Sequence, residues 1–220
     1  MTELLLGRRA LLAGAASLAA LSLAGCATNK TSLQAETPRI PDDVLSMYAA
    51  LPNERFPVPA ARVDLMEPQY WRQAVPNPTG ERPGTIVVDT TNRFLYLTRD
   101  DGMALRYGVG IGRDGFTWSG RGVVQYKREW PTWTPPSEMI ARQPELEPYR
   151  NGMQPGIDNP LGARALYIFK DGRDTIYRVH GAGDARTIGK AISSGCVRLL
   201  HQDVIDLYER VPNGTPIVVM

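Results

Sequence analysis

Downstream of Gly84, short apolar runs alternate with polar turn residues at the spacing of a strand-rich domain. Thr85-Ile86-Val87-Val88-Asp89 is one apolar run, closed by the turn residues Thr91-Asn92. Phe94 to Thr98 alternates, Asp100-Asp101-Gly102 turns, and Met103 to Gly110 continues, which predicts a meander. Val123 to Tyr126 is a further strand, and Ala165–Phe169 with Thr175–His180 flank Asp171-Gly172 as a hairpin. Only Asp203 to Val211 has a helical period: Val204, Leu207, Tyr208 and Val211 share one face, and Pro212 with Asn213-Gly214 ends it. Pro216 to Val219 forms a last strand. These runs predict a mainly β fold with minor α, a sandwich-like mixed sheet with one or two packed helices.

Upstream the periodicity fades and prolines recur. Thr28 to Thr37 reads as a tether. Asp42 to Leu51 is predicted as one short helix, with Val44, Leu45, Tyr48 and Leu51 along one side. Residues 52–84 read as an extended segment lying on the domain, because Phe56, Val58, Tyr70 and Trp71 need burial. The first 26 residues have another character. Arg8 and Arg9 precede an uncharged stretch, Ala10 to Ala24, and then Leu23-Ala24-Gly25-Cys26. That stretch is short of the roughly 20 residues a membrane-spanning helix needs but fits the apolar part of a signal peptide. Small residues before a cysteine resemble a lipobox, after which Cys26 carries lipid, and the paired arginines resemble a twin-arginine export signal. The expected organisation is 1–25 signal peptide, 26–83 tether and extended segment, and 84–220 the domain that carries the chemistry. The expected location is periplasmic and membrane-anchored, with the outer membrane favoured because Ala27 rather than Asp follows the cysteine.

Composition narrows the partners. Over 220 residues, 43% are hydrophobic and 22% charged, the range of a folded protein, with a net charge of +2. A balance so near zero, with no run of Lys and Arg, excludes a nucleic-acid partner held by phosphate neutralisation. The two cysteines and two histidines, Cys26, Cys196, His180 and His201, lack the paired spacings of a zinc site.

Candidate chemistry concentrates in Ser193-Ser194-Gly195-Cys196-Val197-Arg198-Leu199, which follows Val179-His180-Gly181. A thiol attacks only as thiolate, and an ordinary cysteine loses its proton near pH 8.5. An imidazole within reach, His180, can take that proton. Gly195 lets the backbone turn so that the N–H groups of Ser194, Gly195 and Cys196 can hold the oxyanion of a tetrahedral intermediate. The other ring nitrogen of His180 needs a partner to select its tautomer, and the backbone carbonyl of Gly181 is the candidate. Ser193 is expected to hydrogen-bond within the turn. Arg198 could bind a substrate carboxylate or hold the loop through carbonyls and Asp203; the second role is favoured, because two residues past the cysteine it is expected to point away from the thiol. His201 is assigned to capping or the surface. Trp130, Trp133, Pro131, Pro135 and Pro136 read as a stiff packed loop, or as a lid over a cleft that Tyr126, Arg128 and Tyr167 could line. Gly110-Ile111-Gly112-Arg113-Asp114-Gly115 fits G-x-G-x-x-G after a strand, but Phe116-Thr117-Trp118-Ser119-Gly120 does not start the helix a dinucleotide site requires.

Taken together, His180-Gly181, Ser193-Ser194-Gly195-Cys196-Val197-Arg198-Leu199 and Asp203 resemble the catalytic signature of L,D-transpeptidases of the YkuD family. Pro131-Thr132-Trp133-Thr134-Pro135-Pro136 and Asp158-Asn159-Pro160-Leu161-Gly162 resemble the same family, so the likeness covers roughly residues 84–220. Ser194 stands where the family usually has His or Asn. The resemblance implies that Cys196 attacks the carbonyl between the third and fourth residues of a peptidoglycan stem tetrapeptide. The terminal D-amino acid leaves, a thioester forms on Cys196, and an amine attacks it, with His180 moving protons in both halves and no metal or organic cofactor needed. Candidate acceptors are a second stem, an anchored lipoprotein, a free D-amino acid, or water, which would make the enzyme a carboxypeptidase or hydrolase. The contrasting class is a non-catalytic peptidoglycan-binding lipoprotein, which only Ser194 favours.

Overall fold

Asp42–Met47 forms the first helix, α1, with Asp42 and Asp43 in its first turn, where carboxylates meet the positive end of the helix dipole. It stops short of the predicted Leu51. Pro52 disfavours helical backbone at the residue before it, and Leu51 pairs instead with Val58 in an antiparallel bridge. The computed structural model describes residues 39–113, 118–193 and 195–220. The expected signal peptide, tether and lipidated Cys26, together with Ser194 and the Ser193 side chain, lie outside the described residues.

Strands follow in the order β1 (Gln73–Pro76), β2 (Ile86–Asp89), β3 (Phe94–Thr98), β4 (Met103–Gly108), β5 (Ile111–Gly112) and β6 (Gly120–Glu129). Helix α2 (Ser137–Arg142) precedes β7 (Arg164–Lys170), β8 (Arg173–Ala182), β9 (Ala191–Ser193) and β10 (Val197–Leu200). Helix α3 (His201–Arg210) and β11 (Pro216–Val219) complete the chain. Among the described residues, nine strands make one mixed sheet in the order β1-β4-β3-β2-β11-β6-β7-β8-β10, and β5 and β9 make a small second sheet. The pairs β10–β8, β11–β2 and β5–β9 are parallel. The mixed, mainly β architecture agrees with the sequence reading, and two α-helices fall within residues 84–220. β1 and β10 are strands that periodicity did not announce. β1 sits at a sheet edge, where burial alternates only weakly, and β10 is only four residues long.

One apolar cluster joins both ends of the strand order. It holds Leu95 and Tyr107 from β3 and β4, Val179 and Val197 from β8 and β10, and Val204 and Leu207 from α3. Such contacts require the sheet to curl over α3, whose Val204 and Leu207 are fully buried. Burying side chains of that size stabilises by about 1.5–3 kcal/mol each.

The segment before β1 lies on the domain as the sequence predicts, with Val58 and Tyr70 buried and Phe56 and Trp71 partly so. Polar contacts fasten it as well. Glu54 accepts from Arg164 Nη1 and Nη2 at 3.0 and 2.8 Å and from Trp130 Nε1 at 2.9 Å. Gln202 Nε2 donates to Ala49 O and Pro59 O at 3.2 and 2.9 Å.

Candidate active site

The parallel pairing of β10 with β8 sets Val197 beside Val179 and Arg198 beside His180. Alternation then does the sorting: Val197, Leu199 and Val179 are fully buried in the core, while Arg178, His180 and Arg198 take the opposite face. Cys196, one residue before β10, opens onto that second face. It lines two cavities of about 350 and 360 Å³ that share Trp133, Met139 and Leu161. His180 and Arg198 line the second cavity, and Arg178, Tyr167 and Ile176 the first. Arg198 therefore does not point away from the sulfur. In extended chain, positions two apart share a face, and this corrects the expectation from sequence.

His180 is buried, and its Nδ1 lies 2.9 Å from Gly181 O. A carbonyl can only accept, so Nδ1 carries the proton and Nε2 keeps its lone pair. Burial pulls the imidazole down to about 4, against the Gly181 hydrogen bond. Burial also pushes the Cys196 thiol up, outweighing the Arg178 backbone N–H and the positive charges of Arg178 and Arg198, which pull it down. Desolvation disfavours whichever form is charged. Both shifts favour neutral thiol and neutral imidazole at rest.

Close backbone approaches build the walls. A Cβ on Gly181 would meet His201 Nδ1 at 2.8 Å, so only glycine lets this carbonyl sit where it holds His180. His201 is not a capping or surface residue: it is 3% exposed, and its Nδ1 accepts from Ala163 N–H at 3.3 Å. Position 201 opens α3 directly beneath Gly181, a placement no local pattern reveals.

The glycines rejected as a dinucleotide motif have a structural task. Gly110 exchanges both backbone hydrogen bonds with Arg198, at 2.9 and 2.8 Å. A Cβ on Gly112 would sit 2.8 Å from Gly195 Cα, so Gly112 permits β5 to pack directly behind the residue preceding Cys196. Gly195 itself has φ of 132°, in the region that favours glycine.

Asp203 is fully buried, and its expected link to Arg198 gives way to other partners. Tyr48 O–H donates to Asp203 Oδ2 at 3.1 Å, Arg72 lies 3.8 Å from Oδ1, and Arg72 pairs with Asp206 at 3.0 Å. Burial pushes the Asp203 carboxyl up to about 7, against Arg72 and the Tyr48 hydrogen bond. The N-terminal segment thus reaches the helix that follows β10.

The tryptophan-proline stretch divides. Trp130 is buried against Phe56 with ring centroids 5.0 Å apart, whereas Trp133 lines both cavities. Asn159 ties this wall together: its Nδ2 donates to Pro131 O, Met153 O and Gln154 O at 3.0–3.2 Å, and its Oδ1 accepts from Leu161 N–H. Asn159 and Leu161 belong to the Asp158–Gly162 stretch. Tyr126 and Tyr167 stack at 4.3 Å, and Tyr167 lines the first cavity.

Comparison with known proteins identifies the family. Residues 83–219 match the L,D-transpeptidase catalytic domain, YkuD. A Fuscovulum blasticum protein, named for an L,D-transpeptidase in the ATP synthase subunits region, is 34% identical over 138 residues, 61% of this chain and 68% of its own. YbiS of Escherichia coli K12, named a probable L,D-transpeptidase, is 35% identical over 137 residues, 60% of this chain but 42% of its own, so the chain spans less than half of that relative. A crystal structure from Brucella melitensis, described as a probable carnitine operon oxidoreductase, is 44% identical over 72% of this chain and 99% of its own, with a TM-score of 0.49. An L,D-transpeptidase from Mycobacterium smegmatis is 21% identical over 62% of this chain and 58% of its own, with a TM-score of 0.44. Superpositions at those scores decide nothing, whereas the matched residues 83–219 make up more than half of the sequence and include both His180 and Cys196. By that match, the chain belongs to the YkuD family of L,D-transpeptidase catalytic domains.

Proposed function

We propose that this protein is a peptidoglycan L,D-transpeptidase that works through a thioester on Cys196. The observation that carries the reading is the hydrogen bond from His180 Nδ1 to Gly181 O, which leaves Nε2 basic in the cavity that Cys196 also lines. Cys196 Sγ attacks the carbonyl between the third and fourth residues of a stem tetrapeptide while its proton passes to His180 Nε2. Backbone N–H groups of the Ser194-Gly195-Cys196 turn polarise the oxyanion. The C–N bond breaks, the leaving D-amino acid takes the proton from His180, and an acyl thioester remains. An amine then attacks, gives its proton to His180, and releases the product with the thiol restored. Arg198 lines the cavity beside Cys196 and ties β10 to Gly110 through its backbone, Asp203 fastens α3 to Tyr48, and Ser193 supports the turn.

The thiol's role is tested by incubating the protein with a carbapenem and weighing it intact. Wild type gains one adduct and Cys196→Ala gains none; an unmodified but well-folded wild type would refute the nucleophile. Product analysis with a stem tetrapeptide then identifies the acceptor: cross-linked dimer for a second stem, free tripeptide for water.

Export is a second part of the proposal, supported by Arg8-Arg9, the uncharged stretch to Ala24, and Cys26. The protein is a periplasmic lipoprotein held by lipid on Cys26, with peptidoglycan stems as partners and an anchored lipoprotein as one candidate acceptor. Cys26→Ser then abolishes detergent-phase partitioning of the cellular protein; a variant that still partitions would assign anchoring to the apolar segment itself.

A further inference from the structure

One cross-strand row runs from the distal sheet towards the sulfur. Tyr126 on β6 pairs with Tyr167 on β7, and Tyr167 pairs with Arg178 on β8. The Tyr rings stack at 4.3 Å, and the Arg178 guanidinium lies 4.4 Å from the Tyr167 centroid. Arg178 and Cys196 then line the same cavity, where Arg178 is the single charged side chain among the lining residues.

The guanidinium is held rather than mobile. Nη1 and Nη2 donate to Asp174 Oδ1 and Oδ2 at 2.6 and 2.7 Å, and Nη1 also donates to Tyr177 O at 3.0 Å. The clamp depends on an irregular turn of β8. Asp174 Oδ1 also accepts from Ile176 N–H at 2.8 Å, and Ile176 is driven to φ of 63°, a region that β-branched residues avoid. Strain of this kind persists where the surroundings over-determine it, and it collects at functional sites. Here it exposes Ile176 at the cavity rim and brings Asp174 within reach of Arg178.

Three of the five guanidinium N–H groups are used by these bonds. The remaining two, on Nε and Nη2, lie parallel along one edge, the fork that matches a carboxylate bidentately. In the reaction proposed above, one carboxylate must lie close to the sulfur. The terminal carboxylate of the departing D-residue is separated from the attacked carbonyl only by the amide nitrogen and one carbon.

We propose that Arg178 is the specificity residue of the acyl-donor subsite, its open edge binding the terminal carboxylate of the stem peptide, with Asp174 and Tyr167 as its positioning residues. This rests on the L,D-transpeptidase reading.

The test compares three synthetic tetrapeptide donors: one with a free C-terminal carboxylate, its C-terminal amide, and one amidated instead on the third residue's side chain. The wild type acylates from the free-carboxylate donor on the order of 10- to 100-fold faster in kcat/KM than from the C-terminal amide, the size expected of a charge-assisted pair. In Arg178→Gln that preference collapses towards unity through a raised KM for the free-carboxylate donor, on top of a smaller loss common to all donors because the guanidinium no longer draws down the Cys196 thiol. Arg178→Lys, which keeps the charge and stands in should the Gln variant not fold, restores part of the preference. Equal losses on all donors would make Arg178 merely structural and overturn the proposal. So would a wild type indifferent to the terminal carboxylate, or a preference that follows the third-residue side chain. No thioester on wild-type Cys196 with any donor would instead defeat the L,D-transpeptidase reading itself.

Discussion

His180→Ala slows acylation of Cys196 by roughly 10²–10⁴-fold near neutral pH, the usual worth of a positioned general base. The size follows from the resting charges. The buried thiol holds its proton more tightly than an ordinary cysteine, so spontaneous thiolate is scarce at pH 7. The imidazole, pulled down to about 4, is neutral there and able to accept. The pH profile has a definite sign. Below pH 4 the wild-type imidazole becomes protonated and can no longer take the proton, so the wild-type rate falls towards that of the variant. Between pH 4 and neutrality the gap is widest. At strongly alkaline pH the thiol ionises without help, and the two rates converge again. Carbapenem acylation followed by intact mass from pH 3.5 to 10 reads all three regions. A variant as fast as wild type at pH 7 would remove His180 from the proton path. Between pH 5 and 8 the wild-type rate stays level, because the imidazole remains neutral and the thiol protonated across that range; a rate that climbs steeply there would contradict both shifts.

Gly112→Ala produces the second large effect, at a position that touches no substrate. The added Cβ would stand 2.8 Å from Gly195 Cα and 3.1 Å from Gly195 N. Both are backbone atoms, so no rotamer relieves the contact, and either β5 or the nucleophile turn must move. Overpacking of this kind costs about 1–3 kcal/mol of stability. A displacement near 1 Å at the reacting group costs on the order of 10²-fold in rate. The expected outcome is a modest fall in melting temperature with a disproportionate fall in acylation. Gly156→Ala, where an added Cβ meets nothing within 4 Å, is the control and leaves both near wild type. A Gly112→Ala protein that loses stability but acylates at the wild-type rate would show that the approach to Gly195 does not set the nucleophile's position.

Much of the chain was legible before folding. β2, β3, β4, β6 and β7 follow from alternation and turn residues, whereas the two-residue β5 does not, and α3 follows from its i, i+3, i+4 spacing, although it begins two residues earlier than the periodicity marks. The boundary of α1 was misjudged because the apolar spacing to Leu51 outweighed the local effect of Pro52. β10 was hidden by its brevity, since four residues seldom show a period.

The chemistry was legible for a different reason. A thiol, an imidazole and a glycine-bearing turn are reactive types that few other roles require together, so Cys196, His180 and Gly195 stand out in one dimension. What surrounds them does not. Tyr48 and Asp203 meet across 155 positions, and Gly112 reaches Gly195 from another strand pair. His201 lies under Gly181, and Arg198 turns towards the thiol, only because β10 pairs with β8 in this register. Sequence alone settled which groups could react, because reactivity belongs to a side chain and its near neighbours. Folding alone settled which groups stand beside them, because strand register and the curl of the sheet over α3 are properties of distant segments brought into contact.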